Sequence, residues 1–292
     1  MEREGVPGPL ALRDTRARQP GDRHHGHWRP QRFLDFHQRR DSNLNVFDKT
    51  QCFPRYRYAE VTEQGPFFTG YGTGSAAGSG SDDGTGAGFT RHDAISLRTL
   101  ETYRTRYGAE VSADDVFDYV YGLLHSPEYR SRFAPELGKM IPRLPMVDAF
   151  FELAEAGRRL GQLHLGYESV EPWPLEGLPG AEADPATLRV EKMRFGGNAR
   201  TPDRSTIVVS SSVALGGIPE EAHRYEVNGR TALEWILDRY QVKTDRASGI
   251  RNDPNDWSTD PRYIVDLVAR IVRVSVESAA IIEGLPALGI RD

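Results

Sequence analysis

The chain has 292 residues, 37 Lys+Arg against 42 Asp+Glu for a net charge of −5, 38% hydrophobic residues and one cysteine. That apolar content suffices for one large domain or two small ones, and the acidic balance excludes a protein that coats nucleic acid indiscriminately while leaving room for a local basic face. Cys52 can close neither an internal disulfide nor a cysteine metal site, no apolar run approaches the roughly 20 residues that span a bilayer, and the first residues lack the apolar core of a signal peptide, so the expected setting is a reducing cytoplasm with no membrane partner.

Residues 1–42 are dense in Arg and His and contain no lysine. They show neither a helical nor a strand period, and read as a disordered or non-native leader. A GC-rich gene read out of frame yields such a composition, with the native frame resuming near Asn43; an Arg-rich arm that grips phosphates is the alternative. His24, His25 and His27 could bind a transition metal adventitiously, but a structural site needs a fixed second shell. Residues 46–58 suit a strand, with Phe47, Phe53, Tyr56 and Tyr58 as candidates for a sheet face. Residues 70–88 are Gly/Ser-rich with no lysine to meet a phosphate, and read as a flexible insertion within a domain spanning 43–285; residues 286–292 are a tail.

Helices follow. Asp93 is the expected cap of a segment through Tyr107, and Ser112 of one in which Val116, Phe117, Val120, Tyr121 and Leu124 recur at helical spacing. Ser126-Pro127 restarts a third. Residues 147–165 form a longer amphipathic helix with Phe150, Phe151, Leu153, Leu160 and Leu163 on one side. Beyond a proline-rich connection at 171–185, residues 188–195 alternate apolar and charged side chains as a half-buried strand does. Residues 205–210 and 213–218 are further strands, and Asn228-Gly229 marks a turn. Residues 231–239 form a short helix and 261–282 a long final one. The fold class is α+β: a helical segment, a small mostly antiparallel sheet, and a long C-terminal helix.

Enzyme motifs are missing. There is no HExxH, no GxSxG, no SxxK with its partners and no phosphate-cradling GxxxxGK[ST]. The Asn-Pro-Pro-aromatic tetrapeptide of amino-methyltransferases is also missing. Cys52 reads as a buried structural thiol, His125 as a capping or packing residue, and Glu191 with Lys192 is a weak nuclease pair without converging acids. Residues 189–251 hold eleven basic against eight acidic side chains. Arg, Lys and Asn read guanine and adenine edges in the major groove, and loops on a rigid scaffold are where readout residues sit. The candidates are Lys192 and Arg194 on a strand, and Arg200, Arg204, Lys243, Arg246, Arg251 and Asn252 on loops. Taken singly, each is also an ordinary solvated surface residue.

Several stretches together, FDKTQCFPRYRY, DDVFDYVYGLLHSPEYRSRFAPELGKMIPRLP, LRVEKMRFGG, GGIPEEAHRYEVNGRTALEWILDRYQVKTDRASGIRNDPNDW and DPRYIVDLVARIVRVSVES, resemble in order and spacing the C-terminal specificity domain of type ISP restriction-modification enzymes. The resemblance runs from about residue 43 to the end of the final helix. In that family one polypeptide carries a nuclease, a helicase motor, a coupler, an adenine-N6 methyltransferase and, last, the target-recognition domain. The resemblance implies that this chain corresponds to the last of these and binds double-stranded DNA at a short site. It also implies that the chain is not catalytic on its own, and presents a target adenine to the methyltransferase, which flips it out of the stack. S-adenosylmethionine, ATP and magnesium are then expected only in the full-length enzyme, with no cofactor in this chain. The leader and the Gly/Ser insertion depart from the family pattern. ALEWILDRY reads as scaffold, with Trp235 and Tyr240 buried. Two further readings stay open: a protein-interaction subunit docking onto a separate methyltransferase or helicase, and a non-functional fragment of a disrupted gene.

Overall fold

A computed structural model describes residues 54–60, 89–139, 142–198, 200–246 and 248–290. The leader, Cys52, most of the first expected strand and the Gly/Ser insertion lie outside them. The chain divides into two compact units, Gln31–Phe117 and Asp118–Asp292, with the division falling inside one helix.

In the first unit, β1 (Tyr56–Glu60) pairs antiparallel with β2 (Phe89–Asp93), Tyr56 opposite Asp93 and Glu60 opposite Phe89. Arg55, almost wholly buried, donates to Asp93 at 2.5 Å and Asp114 at 2.6 Å. Burial pulls its pKa down, but the two carboxylates outweigh burial and hold the charge in place. Helix α1 (Leu97–Tyr107) is capped by Ser96, whose hydroxyl accepts from the Thr99 amide. The expected cap, Asp93, is instead the last residue of β2 and is occupied by Arg55, which removes its carboxylate from the helix end. Helix α2 (Ala113–His125) starts as expected at Ser112: its hydroxyl accepts from the Asp115 amide, and the Asp115 carboxylate accepts from the Ser112 amide and hydroxyl.

In the second unit, α3 (Pro127–Arg132) opens with Ser126 accepting from the Tyr129 amide and Pro127 in the first turn, as the sequence indicated. After α4 (Ala134–Gly138), the chain is tied down by two buried tyrosines, Tyr129 donating to the Arg143 carbonyl and Tyr119 to that of Pro145. Helix α5 (Phe150–Leu165) buries Phe150, Leu153, Leu160 and Leu163. Phe151, expected on the same face, is 47% exposed: successive helical residues point about 100° apart, so neighbours cannot both face the core centre. α5 and the latter part of α2 meet backbone to backbone. A Cβ on Gly157 would stand 1.9 Å from the Asp118 carbonyl, and one on Gly122 2.2 Å from that of Leu153.

A three-stranded antiparallel sheet has the order β3 (Arg194–Gly197), β4 (Pro202–Val208), β5 (Ala214–Leu215). The alternation at 188–195 holds in burial only as far as Glu191 and then slips by one residue: Leu188, Val190 and Met193 are buried, and Arg189, Glu191, Lys192 and Arg194 exposed. Only from Arg194 is the run a strand, however; residues 189–193 are irregular with a bend at Glu191, and Val190 and Glu191 are bonded by Asn255 and Val242. Next, β6 (Glu226–Val227) and β7 (Arg230–Thr231) form a hairpin around Asn228-Gly229, both at positive φ (56° and 70°), as a two-residue mirror-image turn requires. Thr231 then caps α6 (Ala232–Arg239) in a reciprocal box with Glu234. β8 (Lys243–Thr244) and β9 (Arg251–Asn252) form the last hairpin, and α7 (Tyr263–Glu283) closes the chain. The core lies where Met193, just before β3, and the sheet residues Ile207 and Leu215 meet Leu233 of α6 and Val265, Val268 and Val272 of α7. Each such side chain contributes roughly 1.5–3 kcal/mol. The α+β class, with helices first and a long terminal helix, is borne out.

Candidate nucleic-acid interface

The β3–β4 hairpin turns through Gly197 at φ 66°, and the Asn198 side-chain oxygen accepts from the Arg200 and Thr201 amides at 3.0 Å each. These bonds fix the backbone of the tip, from which exposed Arg200 projects. Arg204 is not on a loop: it lies in β4, its guanidinium 3.1 Å from Glu234 of α6 and 5.3 Å from the Phe195 ring centroid. Arg194, in β3 as expected, is exposed and reaches only its neighbour's carbonyl, Phe195 O, at 3.3 Å among the described residues.

Lys192 lies on the irregular run before β3 and not in a strand, because its neighbours bond to non-strand partners. The Val242 amide donates to the Glu191 carbonyl at 3.0 Å. The Asn255 side chain brackets Val190, accepting from its amide (2.9 Å) and donating to its carbonyl (2.8 Å). This clamp sets Lys192 beside the entry to β8. Glu191 and Lys192 are both exposed, and no group of three or more His, Cys, Asp or Glu among the described residues could hold a metal ion.

Lys243, Arg251 and Asn252, expected on loops, form the β8–β9 ladder, Lys243 opposite Asn252 and Thr244 opposite Arg251. The sequence hides this because each strand is two polar residues long, too short for a period of two to show. A backbone bond from the Asp245 amide to the Ile250 carbonyl (2.9 Å) extends the ladder, and the Gly249 amide returns to the Asp245 carbonyl. The Asp245 carboxylate accepts from the Ser248 amide (2.7 Å) and hydroxyl (2.8 Å), turning inward onto the loop that carries exposed Arg246.

The acids near these cations are similarly engaged. The Lys243 ammonium bonds Asp238 at 2.9 Å and, with Arg230 nearby, holds that carboxyl below the usual carboxylate range. Asp253, buried behind the hairpin, takes Arg251 at 3.0 Å and Arg189 at 3.4 Å on one oxygen. Burial raises its pKa, but bonds from the Asn255 side chain and amide and the two guanidinium charges bring it below the ordinary value. Lys192, Arg200 and Arg246 form no ion pair with the described residues. The exposed Lys243–Asp238 and Arg204–Glu234 pairs are worth about 0–1 kcal/mol each, so Lys243 and Arg204 can exchange a carboxylate for a phosphate at little cost.

The candidates thus fall into two neighbouring stretches: Arg194, Arg200 and Arg204 on the β3–β4 hairpin, and Lys192, Lys243, Arg246, Arg251 and Asn252 around β8–β9. Arg189 was missed, although it stands at an exposed phase of the 188–195 alternation, a signal that could have found it. Arg230 and Arg239 were missed too. They flank Trp235 at 4.6 and 5.5 Å from its ring; Arg239 lies one helical turn from Trp235, whereas nothing in the sequence marks Arg230. Trp235 and Tyr240, expected buried, are half-buried: the indole donates to the Val227 carbonyl at 2.8 Å and offers the plane of its ring to these arginines.

Residues 36–267 match the type ISP C-terminal specificity domain family. Among solved structures, the chain is similar to a nuclease-deletion mutant of the type ISP restriction-modification enzyme LlaGI in complex with a DNA substrate mimic, with 39% identity and a TM-score of 0.57 over 69% of this chain and 14% of that one. It is similar to the ATP-dependent type ISP enzyme LlaBIII bound to DNA, with 31% identity and a TM-score of 0.64 over 82% of this chain and 14% of that one. A DrdV–DNA complex matches at 30% identity and a TM-score of 0.57, over 68% of this chain and 20% of that one. The chain therefore spans a fifth or less of the length of these relatives. No curated protein sequence matches it. No described helix is long and apolar enough to cross a membrane. With the family's match covering most of its length and relatives above 30% identity, this chain belongs to the type ISP C-terminal specificity domain family.

Proposed function

We propose that the chain recognises a short target in duplex DNA, as the specificity domain of a type ISP restriction-modification enzyme. Bond-making and bond-breaking fall to the nuclease, helicase and methyltransferase domains of the parent polypeptide, and S-adenosylmethionine, ATP and magnesium act there. The observation that carries the reading is the arrangement around the two hairpins. Lys192, Arg200 and Arg246 face solvent without a carboxylate among the described residues, while Asp253 is buried and Asp245 accepts from Ser248 of its own loop. Such cations suit phosphates, which supply most of the affinity, and Arg and Asn side chains suit base edges in the major groove. The relatives LlaGI, LlaBIII and DrdV, each in a complex with DNA, support the same reading.

The test is a mobility-shift titration of the full chain on random-sequence duplex at several salt concentrations, followed by selection of bound duplexes. Binding that weakens steeply with salt, with recovery of a consensus, is the expected result. Absence of duplex binding at low salt overturns the proposal.

A further inference from the structure

We infer that one face of the β8–β9 hairpin reads an A·T-containing step in the major groove, with Ile250 packing against a thymine methyl and Asn252 bonding an adenine. The inference rests on the DNA-recognition reading above and assigns the chemistry that the hairpin selects.

Ile250 is 66% exposed, the most exposed large hydrophobic side chain among the described residues. It does not lie on a slack loop: its carbonyl accepts from the Asp245 amide at 2.9 Å, and its own amide donates to the Ser248 hydroxyl at 3.3 Å. The ladder sets Lys243 opposite Asn252 and Thr244 opposite Arg251. Since alternate residues of a strand share a face, Ile250 and Asn252 point to one side and Arg251 to the other. Arg251 is bound to Asp253 on that other side. Asn252 is exposed, and its carboxamide makes no hydrogen bond with the described residues.

The face therefore offers one apolar tip and one unused carboxamide about 7 Å apart, two residues along a strand and close to two base-pair steps. A two-stranded ribbon fits the major groove, where the thymine methyl is the one apolar group presented and where Asn pairs with adenine N6 and N7. The surroundings favour a polyanion over an apolar protein surface: Lys243 and exposed Arg246 flank the face, and the buried carboxylate of Asp253 is neutralised by Arg251 and Arg189.

The experiment uses the full chain and the duplex recovered by selection, with each thymine replaced in turn by uracil, which removes only the methyl group. At one position, uracil should weaken binding by the wild-type chain about fourfold, the worth of one buried methyl. Ile250→Ala should lose binding by a similar factor or more and show no further loss with uracil at that position. Asn252→Ala should relax the preference for adenine nearby. Because both side chains are exposed, neither variant should change the thermal midpoint. Uracil without effect at every position, an equal uracil penalty in Ile250→Ala, or a consensus without an A·T pair overturns the inference while leaving DNA recognition standing. Failure of the wild-type chain to bind any duplex removes both.

Discussion

The two short hairpins that flank α6 have the same backbone plan and opposite destinations. Both β6–β7 and β8–β9 are antiparallel ladders of two residue pairs. In the first, Val227 and Thr231 are buried, the Val227 carbonyl takes the Trp235 indole, and Thr231 caps the helix that follows. In the second, all four ladder residues are exposed, and the hairpin is anchored from below by Asp253 and by the clamp of Asn255 on Val190. A ladder by itself decides nothing about role. What decides it is whether its side chains are spent on the core or left for a partner.

Substitutions should separate the two hairpins by what they change. The largest effect belongs to the core behind the first. Leu233, fully buried at the start of α6, should cost about 3 kcal/mol when replaced by Ala, read as a lower urea midpoint. Acid comes next, and it should act chiefly through two buried histidines of the scaffold. His125 and His164 are held neutral chiefly by burial, which lowers them to about 4 and about 3. His125 Nδ1 lies 2.8 Å from the Tyr121 carbonyl, and His164 is held between the Tyr121 and Ser278 hydroxyls. Below the unfolded histidine value of about 6.5 the unfolded chain takes up protons that the folded chain does not. Stability should thus be full above that pH, fall as pH drops, and level off once the folded imidazoles protonate near pH 4 to 3. Urea midpoints that are flat between pH 7 and 4.5, or that fall equally in a His125→Gln/His164→Gln variant, would contradict this.

Thr231→Ala, which opens the capping box, should cost about 1 kcal/mol and lower the unfolding midpoint without altering the salt dependence of DNA binding. Arg246→Ala should do the reverse. Its stability change should stay within about 0.5 kcal/mol, while the slope of log affinity against log salt should shrink by about 1 if the guanidinium meets a phosphate. A destabilised Arg246→Ala, or a Thr231→Ala that binds with a changed slope, would erase the distinction between the hairpins.

Legibility followed the same divide. The helix starts at Ser112 and Ser126, the turn at Asn228-Gly229 and the long final helix were open to reading because caps, positive-φ residues and 3.6-residue periods are local signals. Asp93 misled because an Asp before a helical pattern is a good cap unless its carboxylate is taken, and Arg55, distant in sequence, takes it. Phe151 misled because a helix face read from a string of apolar residues is wider than the stripe the core accepts. The charged residues of 240–252 gave no strand signal, since β8 and β9 exist through a turn closed by Asp245 and Ser248 and a base held by Asp253. Asn252 entered the candidate list by residue type alone; Ile250 did not enter it, because only an exposed apolar side chain asks for a partner, and exposure is a property of the fold.

From the sequence by itself came the α+β class, the family resemblance and the lack of familiar catalytic motifs, all carried by local pattern and by the order of blocks along the chain. The tertiary structure decided which cations are tethered and which stand open, and which hairpin was built into the core. Those outcomes depend on partners tens of residues away: Arg204 meets Glu234, Arg189 shares Asp253 with Arg251, and Asn255 clamps Val190. A charge is available to a ligand only when its counter-charge lies elsewhere, and for Arg204 and Arg189 no local window of sequence contains both members of the pair.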